Sequence, residues 1–202
     1  MPSWIVKLNY FTNKLLLVSL MFLLSGCALT SNNNSIHLTE NLALVLTPPP
    51  SEKVGEINSH LVEITNKGKS HRFIAQVEYS NNEIAMAAVS PAGVPLFDFR
   101  WFDKKETEVN QYVPLPFADI GFIIADMQLC HWPLSMIEAS LLGTNVSVSQ
   151  HDNLSQNQII WQRTILDNNQ VIIKIEKFDD GYELENIIRG YRIRLTNLDK
   201  ES

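Results

Sequence analysis

Residues 71–79 alternate between apolar and polar side chains. Phe73, Ala75, Val77 and Tyr79 fall on one face, with Arg72, Gln76 and Glu78 opposite them beside Ile74. A period of two with one apolar face predicts a half-buried strand. Asn81-Asn82 marks a tight turn into a second strand over 84–89, and Pro91-Ala92-Gly93 marks a turn into a third. In that third strand Phe97, Phe99 and Trp101 share a face against Asp98 and Arg100. Residues 57–65 and 107–113 add further strands, so the first half of the chain reads as an antiparallel meander.

The period then changes. Pro114 and Pro116 stop the strands, and Phe117, Ile120, Ile124 and Met127 recur at helical spacing. Pro133 suits the first position of a second helix, with Leu134, Ile137 and Leu141 on one face and Gly143 as a stop signal. Period two returns at Val171, Ile173 and Ile175, set against Ile172, Lys174 and Glu176. Asp179-Asp180-Gly181 is a turn. Residues 184–188 and 191–195 form a last hairpin bent at Gly190, with Tyr191, Ile193 and Leu195 facing in. Strands, two helices, then strands predict an α+β domain. The two helices inserted mid-chain are expected to cover one face of a curved antiparallel β-sheet.

The start of the chain follows another pattern. The run from Leu15 to Leu24 is apolar apart from Ser19, and Lys7 and Lys14 are the only charges before residue 40. A spanning helix needs about 20 apolar residues, so this shorter run has the layout of an export signal. It ends in Leu24-Ser25-Gly26-Cys27, which resembles the bacterial lipobox at all four positions. That resemblance implies cleavage before Cys27 and lipid on its thiol, which holds the protein to a membrane. More than one acyl chain gives a stable anchor. The organisation read from this is a signal peptide over 1–26, the lipidated cysteine and a polar tether over 27–36, and one domain over 37–202. In enteric-type bacteria an Asp after the lipidated cysteine retains a lipoprotein at the inner membrane. Ala28 stands there instead, which implies the outer membrane of a Gram-negative cell, on its periplasmic face.

Composition narrows the choice of partner. Cleavage before Cys27 removes 26 of 202 residues, and with Lys7 and Lys14 gone the net charge moves from −6 to −8. That acidity argues against nucleic acid and against a general electrostatic grip on anionic lipid. With Cys27 taken by lipid, Cys130 has no intramolecular partner and reads as a small buried apolar side chain.

The chain carries no Gly-x-Ser-x-Gly elbow, no phosphate loop and no paired histidines at metal spacing. The reading is therefore of a protein without catalytic residues, metal or cofactor. Cys130-His131 invites a nucleophile–base reading, but neighbours on a helix diverge by about 100°. Asp119 and Asp126 lie two helical turns apart and read as a solvated face. What the chain does offer is bulk. Phe73, Tyr79, Met86, Phe97, Phe99, Trp101, Phe122, Met127 and Trp132 are candidates to line an apolar ligand cavity, the alternative being plain core.

Three segments carry a resemblance. They are Ser90-Pro91-Ala92-Gly93-Val94-Pro95-Leu96-Phe97 running into Trp101, Ala125-Asp126-Met127-Gln128-Leu129-Cys130-His131-Trp132-Pro133, and Arg189-Gly190-Tyr191-Arg192-Ile193. Together they resemble a proteobacterial lipoprotein family, over roughly residues 45–196. Its members are often encoded beside genes for aryl-polyene and related fatty-acid-like biosynthesis. His131 departs from the more apolar residue expected before Trp132. The order of elements is also similar to LolB and its soluble relative LolA. Those are half-open barrels lidded by helices, whose apolar concavity accepts acyl chains of lipoproteins in transit. The resemblances imply a non-enzymatic carrier of an acyl chain or lipid. Its cargo would be an aryl-polyene-type lipid or a lipoprotein, and its partners the membrane and a periplasmic carrier protein. LolB has a Pro-Leu-Gly turn whose leucine protrudes. Here the turn is Pro91-Ala92-Gly93, so Ala92 and Val94 form a candidate membrane or cargo loop with less apolar area. The residues leave a second reading open, a scaffold lipoprotein that binds other envelope proteins.

Overall fold

The computed structural model describes residues 34–114, 119–154 and 158–198. The expected signal segment 1–26, Cys27, Ala28 and Phe117 lie outside the described residues. In chain order, β1 (Ser35–His37) and β2 (Leu42–Val45) come first. A meander follows of β3 (Ile57–Asn66), β4 (Lys69–Ser80), β5 (Glu83–Val89), β6 (Pro95–Phe102) and β7 (Glu108–Gln111). Helices α1 (Ile120–His131) and α2 (Leu134–Ser140) lead into β8 (Leu141–Gly143). The chain closes with β9 (Val146–Leu154), β10 (Ile159–Asp167), β11 (Gln170–Phe178), β12 (Gly181–Asn186) and β13 (Tyr191–Asn197).

Ten strands make one sheet in the order β7-β6-β5-β4-β3-β13-β12-β11-β10-β9, while β1, β2 and β8 form a small second sheet. Every pairing is antiparallel. The two halves of the large sheet meet at β3 and β13, in a register running from Tyr191 opposite Asn66 to Asn197 opposite His60. β7 and β9 are unjoined edges, so the sheet is open, as the alternation and the mid-chain helices predict. Phe73, Ala75, Val77 and Tyr79 of β4 and Phe97, Phe99 and Trp101 of β6 are all buried, as their alternation requires. The opposite face carries ion pairs such as Arg100–Glu83 at 2.7 Å and Arg72–Glu63 at 2.6 Å. Exposed pairs of this kind add little stability.

The structure corrects the sequence reading at four places. The tether expected over 27–36 overlaps β1, where Ile36 packs against the core. β9 and β10 were not legible as strands. Gly143 does not stop α2, which ends at Ser140. Gly143 instead pairs with Leu42 in β8, where a Cβ would lie 2.7 Å from both the Asn41 carbonyl oxygen and a Val146 methyl. Val171 does not share a buried face with Ile173. Ile165 pairs with Ile173 but Leu166 pairs with Val171, so Ile172 is the extra residue of a β-bulge. The bulge shifts the alternation by one. Ile172 and Ile173 are both buried, and Val171 is 36% exposed.

A Cβ on Gly181 would stand 1.8 Å from the Leu195 carbonyl oxygen, where β12 starts against β13. Gly181→Ala must part those strands and is expected to cost about 2–4 kcal/mol. Gly190 sits in open space at φ +68°, so Gly190→Ala meets only backbone strain of about 1 kcal/mol. Urea unfolding of the two variants side by side checks the order. Equal losses would contradict the register.

Candidate functional site

α1 has no wet side in its second half. Asp119 caps its start, accepting a hydrogen bond from the Gly121 N–H at 2.9 Å. Pro133 ends it by holding Trp132 in an extended conformation. Between these, all seven residues from Ile124 to Cys130 are buried. A helix of this kind sits in a core, and its polar side chains need partners there. Gln128 finds one in Thr47: its Nε2 donates to the Thr47 carbonyl at 2.9 Å and its Oε1 accepts from the Thr47 N–H at 3.0 Å. Trp132 Nε1 donates to Thr47 Oγ1 at 3.0 Å.

The end of α1 is held by Arg163 on β10, which is only 2% exposed. Its Nη1 donates to the Leu129 carbonyl at 2.6 Å and its Nη2 to the Trp132 carbonyl at 3.1 Å. Nε and Nη2 also reach Gln150 Oε1 on β9, at 3.2 and 2.9 Å. The guanidinium thus satisfies carbonyls that any helix end leaves open, with the charge sign the helix dipole favours. Sequence reasoning missed Arg163. The available signal was a charged residue at the inward phase of a strand, between Trp161 and Ile165.

Beneath α1 lies an apolar cavity. β3 contributes Val62 and Ile64, β13 Ile193 and Leu195, and β12 Leu184. Phe73 and Met86 come from β4 and β5, and the helix adds Ile123, Asp126, Met127 and Cys130. Strands β5 to β12 would spread over about 19 Å in a flat sheet. They meet at one cavity because the sheet curls around the helix. The cavity holds about 40 Å³, space for a few waters at most.

Asp126 is the single charged side chain in that lining and is 7% exposed. Tyr191 Oη donates to its Oδ2 at 2.6 Å, and Asn186 donates to the same phenol oxygen at 3.3 Å. Its Oδ1 meets no donor. Burial pushes the carboxyl up to about 7, against the Tyr191 hydroxyl and the Arg189 charge, which both favour ionisation. The expectation of a solvated Asp119–Asp126 pair is therefore corrected: one carboxylate caps the helix and the other is inside.

A second, polar pocket of about 260 Å³ adjoins the end of α1, lined by Lys53, Asn58, His60, His131, Lys177, Tyr182 and Asn197. The His131 ring lies 4.6 Å from that of Tyr182 and 5.6 Å from that of His60. Lys177 Nζ sits 4.0 Å over the Tyr182 ring. His131 is held well below its usual pKa, first by burial and then by His60, Lys53 and Lys177. Burial pushes the Cys130 thiol up, away from the reactive thiolate. Cys130 lines the apolar cavity and His131 the polar pocket, so the two side chains diverge as helix geometry requires.

Of the nine aromatic and methionine candidates, the structure brings Phe73, Met86 and Met127 to the cavity. Tyr79, Phe97, Phe99, Trp101 and Trp132 are each about 1% exposed and make solid core. Tyr79 and Trp132, for example, pack edge to face at 5.6 Å. Phe122 is half-buried under the Arg189 guanidinium, 3.2 Å from its ring centre. Ala92 and Val94 lie in an ordered turn: Gly93 N–H donates to the Ser90 carbonyl at 2.8 Å, and Val94 N–H to Ser90 Oγ at 3.1 Å. Val94 is 53% exposed there.

Arg163→Met leaves two buried carbonyls without donors and is expected to cost about 2–4 kcal/mol. Arg163→Lys recovers little of this, because one ammonium cannot reproduce the fork. Urea unfolding measures both, and a lysine variant as stable as wild type would refute the clamp. Asp126 sets a pH dependence. Its carboxyl titrates near 3.8 when unfolded and near 7 when folded, so the folded state holds the extra proton between those values. Stability falls as pH rises through that window and levels off above it. Asp126→Asn is expected to remove this component, narrowing the stability difference between pH 5 and pH 8. An unchanged difference would place the titration elsewhere.

No match to a curated protein was found. Among solved structures, one from Vibrio parahaemolyticus, described as an outer membrane lipoprotein-sorting protein domain, aligns over 71% of this chain and 83% of that one. The identity is 8% and the TM-score 0.36, a likeness too distant to carry function. A family model described as protein of unknown function, DUF3261, matches residues 58–199, which takes in nearly all of the ten-stranded sheet and both helices. The chain belongs to the DUF3261 family.

Proposed function

We propose that this protein is a lipid-anchored carrier of the Gram-negative envelope. Cys27 bears the lipid, Ala28 directs the protein to the periplasmic face of the outer membrane, and the curled sheet holds an acyl chain or lipid without catalysis. The observation that carries this reading is the face beneath α1, where every side chain around the cavity except Asp126 is apolar. Each methylene moved there from water gains about 0.8 kcal/mol. On this reading the cavity of about 40 Å³ belongs to the closed state, and cargo would enter as α1 and the sheet part. An aryl-polyene-type lipid or a lipoprotein acyl chain fits the family resemblance, and a periplasmic carrier protein would bring it. Val94, exposed beside Ala92, would face the membrane or the cargo donor.

A second reading, a scaffold that binds other envelope proteins, is favoured by the small volume of that cavity and the solid core of Phe97, Phe99, Trp101 and Trp132.

Native mass spectrometry of the protein purified from its own host separates the two. The carrier is expected to arrive with lipid adducts, and Ile64→Trp, which fills the cavity, is expected to remove them. A lipid-free protein with specific pull-down partners would favour the scaffold. Cys27→Ala is expected to abolish the acyl modification, and Ala28→Asp to shift the protein to inner-membrane fractions.

A further inference from the structure

The two pockets are consecutive rows of one groove. On β3 the inward residues run Asn58, His60, Val62, Ile64, the first two in the polar pocket and the last two in the apolar cavity. β13 repeats the order in the paired register, with Asn197 opposite His60, Leu195 opposite Val62 and Ile193 opposite Ile64. β12 does the same with Tyr182 and Leu184. α1 roofs both, its Met127 and Cys130 over the apolar end and His131 over the polar end. From His60 to Ile64 the floor runs about 13 Å.

The charged side chains that line the polar end are Lys53 and Lys177. Lys53, Lys177, His60 and His131 line it, and no carboxylate is among its lining residues. Glu56 stands beside it, bound to Lys53 at 2.8 Å. Asn58, Asn197 and the Tyr182 hydroxyl supply neutral donors. Burial first, and then His60, Lys53 and Lys177, lower the basicity of His131, so its ring meets the pocket uncharged. A pocket built this way in a chain of net charge −6 is a local exception to the molecule's overall field.

We propose that the groove binds an anionic amphiphile, with a carboxylate or phosphate headgroup among Lys53, His60, His131 and Lys177 and its hydrocarbon chain in the apolar cavity beneath α1. The headgroup lies against the two lysine ammonium groups with the His60 and His131 rings beside them, and the chain fills the row next to it. This rests on the carrier reading and makes it more specific. The neutral-lipid alternative lacks any use for the cationic end.

The test offers the full-length chain, in non-ionic detergent, equal concentrations of palmitate and its uncharged methyl ester, with both adducts read in one native mass spectrum. Palmitate is expected to bind about tenfold better, the effect of one good charge-assisted contact. Lys53→Gln/Lys177→Gln is expected to reduce palmitate to the level of the ester and leave the ester unchanged. Lys177→Gln alone, expected to cut the preference about threefold, keeps the test valid if the double variant loses its native circular dichroism spectrum. Millimolar inorganic phosphate is expected to compete with palmitate and not with the ester. Equal binding of acid and ester would overturn the headgroup site and leave the carrier reading standing. Binding of neither would overturn both. Inorganic phosphate binding alone, without either amphiphile, would show a free-anion pocket and also overturn the proposal.

Discussion

The groove depends on one side chain from the far half of the sheet. α1 faces β3, β4 and β5 across the cavity and packs against β11 and β12, and it ends in carbonyls that lie out of reach of water. Arg163 meets two of them while touching Gln150 on the neighbouring strand. A neutral donor could satisfy one carbonyl. The guanidinium fork satisfies several acceptors in one plane and carries the charge a helix C-terminus prefers. Burial of that charge is costly and is offset by these contacts together with the Trp161 ring, 4.9 Å away. Once the end of α1 is fixed, Thr47 can close on Gln128 and Trp132, and the helix becomes the roof of the concave face.

The other end of the roof is held differently. Asp126 has one oxygen bound to Tyr191 and one oxygen facing apolar side chains. A half-satisfied buried carboxylate is a weak tie compared with a fully bonded guanidinium. The helix is thus held by hydrogen bonds at its C-terminus and mostly by apolar packing along the body that covers the cavity. In the proposed carrier, that apolar packing is what cargo would replace.

The strand faces were legible because exposure follows a period of two: Phe73 to Tyr79 and Phe97 to Trp101 lie where alternation puts them. The order of elements and the divergence of Cys130 from His131 followed from periods alone. Other features were not, for identifiable reasons. Ile172 is a bulge, and a bulge is defined by the partner strand rather than by its own sequence. Asp126 looked solvated because a helix pattern cannot show that a second sheet and a curled first one close around every side. Aromatic size did not distinguish lining from core. Trp101 and Phe99 fill the interior, whereas the groove is walled by medium-sized residues such as Val62, Ile64 and Leu184. The polar end was invisible because its members come from positions 53, 60, 131 and 177, on the turn before β3, on β3, at the end of α1 and on β11, elements that only the tertiary fold brings together.

An empty state poses a physical problem for the proposed carrier. An open apolar groove would expose a patch of the kind that drives aggregation, and a permanent void would cost stability in proportion to its volume. With α1 seated on the sheet, the cavity between them is only about 40 Å³, which avoids both. The polar pocket, lined by Lys53, His60, His131, Lys177 and their polar neighbours, keeps a volume of about 260 Å³. The molecule therefore presents a polar pocket beside a nearly filled apolar interior. In the proposed carrier, a headgroup binds before any apolar surface is uncovered, and the chain then displaces packing that Asp126 only weakly reinforces. The order of the two events follows from which part of the groove already has room.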